Sequence, residues 1–112
     1  MQDYIFSYRT KEVYALIEYE KEEGAEHYYI GRVLEFGFPD NLCELIGEYN
    51  ELVDAMALSL LDEVEEKIYW YDLMLKSSGN RIFNISLKDK EHISFFLKYP
   101  TSNGFLDRYP SF

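Results

Sequence analysis

The stretch "GFPDNLCELIGEYNELVD", Gly37 to Asp54, is where the chain changes its period. Upstream of it, apolar residues recur at every second position. Within it Leu42, Leu45, Ile46, Tyr49, Leu52 and Val53 advance by threes and fours, and Met56, Leu60 and Val64 continue the pattern. Steps of two line up side chains on one face of a strand, whereas steps of three and four line them up on one face of a helix. The sequence therefore predicts strands before Gly37 and a helix after it. Asp40, following Pro39, is expected to cap that helix and to place its charge at the positive end of the helix dipole. A straight helix from Asn41 to Glu66 would run roughly 40 Å. That is long for a chain of 112 residues, so a kink or break is expected between Gly47 and Asp54.

Working outward, Tyr4, Phe6 and Tyr8 alternate in a first strand-like run. Val13, Ala15, Ile17 and Tyr19 share one face of a second, and Tyr28, Ile30, Leu34 and Phe36 share one face of a third. "KEEGAEH", residues 21–27, offers Gly24 for a hairpin loop between the last two. Beyond the helix, "KIYWYDLML" (67–75), "RIFNISLK" (81–88) and "HISFFLKY" (92–99) return to period two. The first of these is ambiguous, because Ile68, Tyr71 and Leu75 also fit helical spacing, so 67–76 reads as strand or helix. Residues 100–112 carry turn formers and isolated aromatics and are expected to dock as a tail. The expected fold is one α+β domain over 1–112. A mainly antiparallel sheet of about five or six strands would pack on one long or broken acidic helix.

Composition narrows the function. An apolar content of 47% suits one core. Cys43 is the only cysteine and has no internal partner, which fits a reducing compartment. Met1-Gln2-Asp3 does not open a signal peptide, and the uncharged run Ala55 to Leu61 is too short to span a bilayer. A cytoplasmic location is expected. The net charge of −10 argues against direct contact with nucleic acid or an anionic membrane and favours a basic partner.

The charge is unevenly distributed. Residues 40–66 hold nine acids and no Lys or Arg, whereas residues 67–112 hold seven bases against four acids. Asp40, Glu44, Glu48, Glu51 and Asp54 form a stripe at steps of three and four. Like charges at that spacing destabilise a helix by a few tenths of a kcal/mol per pair. Either Lys67, Lys76, Arg81, Lys88, Lys90 and Lys98 fold back to offset the stripe, or it faces another molecule. "DEVEEKIYWYD", Asp62 to Asp72, sets further carboxylates directly against Tyr69, Trp70 and Tyr71. Steering charges beside aromatic anchors are the common anatomy of a tight interface. The expected partner-binding residues are Glu44, Glu48, Glu51, Asp54, Asp62, Glu65, Glu66, Tyr69, Trp70 and Tyr71.

Catalytic chemistry finds little footing. Asp62, Glu65 and Glu66 could approach one another, but His27 and His92 lie in other elements and no Glu-x-x-His occurs. Cys43 sits among Leu42, Leu45 and Ile46, as expected of an inert buried thiol. The glycines are scattered rather than grouped into a phosphate-cradling loop. No catalytic residue, metal or cofactor is expected.

In size, charge, its lone cysteine and an acidic helix followed by "KIYWYDLML", the chain resembles the small acidic immunity proteins that accompany bacterial contact-dependent growth inhibition and related polymorphic toxins. The resemblance implies a cytoplasmic inhibitor that binds a basic toxin domain, often a nuclease, and covers its active site or substrate groove. Such a protein would be a monomer or weak dimer when free. Two other classes fit the same residues: a general interaction or adaptor module that pairs with itself through aromatic strands, and a small hydrolase using two of the many carboxylates.

Overall fold

A computed structural model describes residues 1–99, apart from the side chain of Leu58. The expected tail, 100–112, lies outside the described residues. The fold is α+β, with a curled six-stranded antiparallel sheet and two helices. The strands are β1 (Gln2–Ser7), β2 (Glu12–Lys21), β3 (Tyr28–Phe36), β4 (Leu73–Leu75), β5 (Phe83–Lys88) and β6 (His92–Phe96); the helices are α1 (Asp40–Asp54) and α2 (Leu61–Tyr69). The sheet order is β4-β1-β2-β3-β6-β5. A bridge between Met74 and Arg81, with a bond from the Ile82 N–H to the Leu73 carbonyl at 2.9 Å, brings the two ends of the sheet together. Such curling covers strand edges that would otherwise invite pairing with other chains.

The core fills the space between the sheet and the helices. Leu42 and Ile46 of α1 and Val64 and Ile68 of α2 meet Ile5, Ile17, Leu75, Ile85, Ile93 and Phe95 from the strands. α1 lies against β5 and α2. Full burial of a single Leu or Ile contributes roughly 1.5–3 kcal/mol, so this cluster supplies the main driving force for the arrangement.

Strand faces differ from the apolar pattern of the sequence at three places. In β1 the buried residues are Asp3, Ile5 and Ser7, while Tyr4 and Tyr8 are exposed. Two polar side chains can face inward because each is satisfied. The Asp3 carboxylate accepts from the backbone N–H of Tyr4 and Ser77 and from the Ser77 hydroxyl. The Ser7 hydroxyl donates to the Tyr71 carbonyl at 2.5 Å and accepts from the Thr10 N–H. In β2 the ladder passes from Ala15 to Val13 across one β1 step, so Tyr14 forms a bulge. Tyr14 turns inward against Phe38 and Tyr71, leaving Val13 outside. A second bulge falls at Leu34, since Leu16 and Ile17 pair with Glu35 and Val33. Tyr29 and Val33 accordingly pack on the core before the bulge and Phe36 after it, and Leu34 is exposed.

The Lys21–His27 loop joins β2 to β3 as expected, with Gly24 at φ 79°. Gly31, in β3, is required for another reason: a Cβ there would run into the Glu18 carbonyl and come within 2.8 Å of the Tyr19 Cα.

The helical region departs from the sequence expectation in three ways. Asp40 is the first helical residue rather than the cap; Pro39 takes the cap position and no side chain caps the helix. The fixed φ of proline suits the start of a helix, and the Asp40 charge still lies in the first turn. The break falls after Asp54, beyond the expected Gly47–Asp54 window, followed by a short 3-10 turn at Leu58–Leu60. "KIYWYDLML" is not a strand throughout. Its first three residues finish α2, Trp70 to Asp72 turn, and only Leu73–Leu75 pair. The single long acidic helix is therefore two shorter ones.

Candidate interaction surface

The end of α1 is closed by its own backbone. The Ala57 N–H donates to the Leu52 carbonyl at 2.9 Å and the Met56 N–H to the Val53 carbonyl at 3.0 Å. This is a Schellman motif with Met56 in the left-handed position, at φ 55°. Glycine is favoured there because a Cβ is strained by roughly 1–2 kcal/mol. The chain has instead a long apolar side chain, and it is 78% exposed. Val53 (43%) and Leu60 (53%), on either side of the break, are exposed as well. Glu51, Asp54, Asp62 and Glu63 flank these three residues in sequence and are exposed. The result is an apolar knob set among carboxylates.

Those carboxylates differ in their partners. Glu63 pairs with Lys67 at 3.7 Å, both well exposed, so the bond adds little. Among the described residues, no lysine or arginine pairs with Glu44, Glu48, Glu51 or Asp54. Arg81 pairs with Asp72 at 2.9 Å instead. Lys90 lies over the Phe36 ring at 5.5 Å. The α1 stripe thus remains a negative ridge on the described part of the molecule.

The aromatic end of α2 is arranged differently. Tyr69 is buried, packed edge-on against Phe83 and Tyr99. Its hydroxyl donates to Asn84 Oδ1 at 2.9 Å and accepts the Asn84 N–H at 3.3 Å. Burial, reinforced by the Glu65 charge, pushes the phenol well above its usual range. Glu65 is buried too and accepts from the Tyr99 hydroxyl at 2.9 Å. These two residues, expected at the contact surface, belong to the interior. α2 turns both inward because Val64, Glu65, Ile68 and Tyr69 share its buried face. Tyr71 is half-buried against the core beside Tyr14, and burial raises its hydroxyl pKa.

Trp70 alone of the three aromatics is exposed, at 47%, with the Arg9 guanidinium 5.1 Å from the centre of its ring. Its backbone is clamped: the Trp70, Tyr71 and Asp72 carbonyls accept in turn from Arg9 Nε, the Ser7 hydroxyl and the Tyr8 N–H. Nine-residue α2, roughly 14 Å long, separates this point from the knob at Met56. The carboxylates and aromatics adjoining in sequence are therefore not one surface. The apolar anchor beside the acids is Val53, Met56 and Leu60, which the sequence places on the buried helix face. No glycine or proline near Ala55 signals the break.

Chemical groups elsewhere are modest. Cys43 is half-buried, and burial followed by the Asp40 charge pushes its thiol up, away from reactivity. Among the described residues no three metal-ligating side chains come together, and no helix is long and apolar enough to cross a membrane. Comparison with family models, curated proteins and solved structures gave no match.

Proposed function

We propose that the chain is a binding protein that neutralises a basic partner, in the manner of an immunity protein covering the active site or substrate groove of a nuclease toxin. The observation that carries this reading is Met56: a strained, exposed apolar residue at a helix end, between Val53 and Leu60, beside Glu51 and Asp54, which pair with no lysine or arginine among the described residues. Backbone strain kept where glycine would relieve it points to a use for the side chain. Methionine is a flexible anchor suited to an irregular apolar pocket.

The physics of such an inhibitor is consistent with the surface. Glu44, Glu48, Glu51 and Asp54, with Asp62 and Glu66, would steer a cationic groove into place. Steering of this kind raises association rates by about 10- to 1,000-fold and fades with salt. The apolar knob would then slow dissociation. Trp70 would form a second, outlying contact.

The test is association with the basic partner, captured from the native host and assayed for nuclease activity with and without the chain. Glu48→Lys combined with Glu51→Lys should slow association about tenfold and flatten its salt dependence. Met56→Ala should leave the on-rate intact and speed dissociation. Unchanged kinetics in both variants would overturn the reading. An adaptor that pairs with itself would show self-association in dilute solution by light scattering.

A further inference from the structure

The outer face of the sheet carries cations, which the helical ridge lacks. The register places Glu18, Arg32, His92 and Lys88 in one row across β2, β3, β6 and β5. The next row reads Glu20, Ile30, Ser94 and Ser86. With strands about 4.8 Å apart, Arg32 and Lys88 stand roughly 10 Å from each other, on either side of His92. These eight side chains line a groove of about 550 Å³. That volume lies within the range of about 300–1,000 Å³ usual for small-molecule sites.

Two observations say what the groove is for. First, Arg32 is registered directly opposite Glu18, yet makes no ion pair with it, and Lys88 makes none either among the described residues. Among the described residues their donors meet no carboxylate, in a chain with nearly twice as many acids as bases. Second, Arg32 and Lys88 flank His92 on one side, while Glu18 and Glu20 form the other with the Met1 ammonium held beside them at the Tyr19 carbonyl, and Ile30 and the serine hydroxyls fill the second row. Gly31 lets β2 and β3 approach closely beneath it.

We propose that this groove binds a small molecule bearing an oxyanion, a phosphate or carboxylate group held between Arg32 and Lys88 over His92. An Arg guanidinium matches either group through two parallel N–H bonds. Ser94 and Ser86 add hydroxyl donors, and Ile30 underlies the ligand's body. Glu18 and Glu20 accept from hydroxyl or amino groups at its far end and repel a second anion there. The site is independent of the surface around Met56.

The test uses the full chain, uniformly ¹⁵N-labelled, titrated separately with inorganic phosphate and with citrate. Saturable shifts centred on the amides of Arg32, Lys88, His92 and Ser94 support the proposal. Saturation by phosphate alone assigns a phosphorylated ligand, and by citrate alone a carboxylate. Arg32→Gln and Lys88→Gln should each weaken binding about tenfold, as expected for losing a charged hydrogen-bond partner, with Lys90→Gln behaving as the unaltered chain. Shifts that grow without saturating, that centre on other residues, or that persist unchanged in both groove variants would overturn it. Mapping on the unaltered chain keeps the test decisive even if a variant misfolds.

Discussion

The two helix ends, Ala55 to Leu60 and Trp70 to Asp72, face similar problems and meet them differently. Each turns the chain sharply, and each places a non-glycine residue at positive φ, Met56 at 55° and Asp72 at 49°. At the second end the strain is held by the rest of the fold. Three successive carbonyls are taken by the β1–β2 turn, Arg81 grips Asp72, and Tyr69 is buried beside them. At the first end the backbone bonds among the described residues are local, running between residues 51 and 60. The lesson is that aromatic residues beside acids were mostly structural, whereas Met56 and Leu60 of the plain aliphatic run stand exposed.

The comparison can be broken most forcefully at Tyr69. Tyr69→Ala should destabilise the chain by about 3–5 kcal/mol, as a buried aromatic lost from the core does. Chemical denaturation would measure it, and a loss near zero would mean that this end is not anchored. Ser7→Ala should come next. It leaves the Tyr71 carbonyl and the Thr10 N–H short of a partner, for about 1–3 kcal/mol by the same measurement.

Met56→Gly should act in the opposite direction. Relief of the left-handed strain stabilises the fold by about 1 kcal/mol, less the added freedom of glycine in the unfolded chain. Binding to the proposed basic partner should weaken at the same time. A variant that is more stable and binds equally well would make Met56 a structural accident.

The smallest effect is expected at the β5–β6 turn. The Asp89 carboxylate accepts the Glu91 N–H at 2.7 Å, with further bonds from the His92 N–H and ring, and these hold its pKa below the ordinary value of 3.8. A carboxyl depressed on folding stabilises fully above its unfolded pKa, and loses that contribution as pH falls through the folded value. Asp89→Asn, which tolerates the left-handed φ of 56° as aspartate does, should therefore lower the melting temperature slightly at neutral pH and have little effect at a pH well below 3.8. Parallel thermal melts at the two pH values would check this.

Much of the fold was legible in the chain. The change of period at Gly37, the hairpin at Gly24 and the last two strands, β5 and β6, lie close to where alternation places them. The exceptions have identifiable causes. Bulges at Tyr14 and Leu34 shift which residues face inward, and nothing local marks a bulge, because the extra residue is defined by the partner strand. Asp3 and Ser7 face inward only because Ser77 and Tyr71 satisfy them from more than 60 residues away. Of the expected contact residues, Glu65 and Tyr69 turn inward because that face of α2 meets Phe83, Asn84 and Tyr99.

By itself the sequence determined that there would be an antiparallel sheet, an acidic helical stretch and no basic residue within that stretch, since periodicity and composition are properties of the chain alone. Tertiary structure decided which of those residues meet water. Whether a side chain is core or surface depends on what its helix or strand lies against. It was packing that hid Glu65 and Tyr69, exposed Met56, and drew Arg32, His92 and Lys88 from three strands into one row.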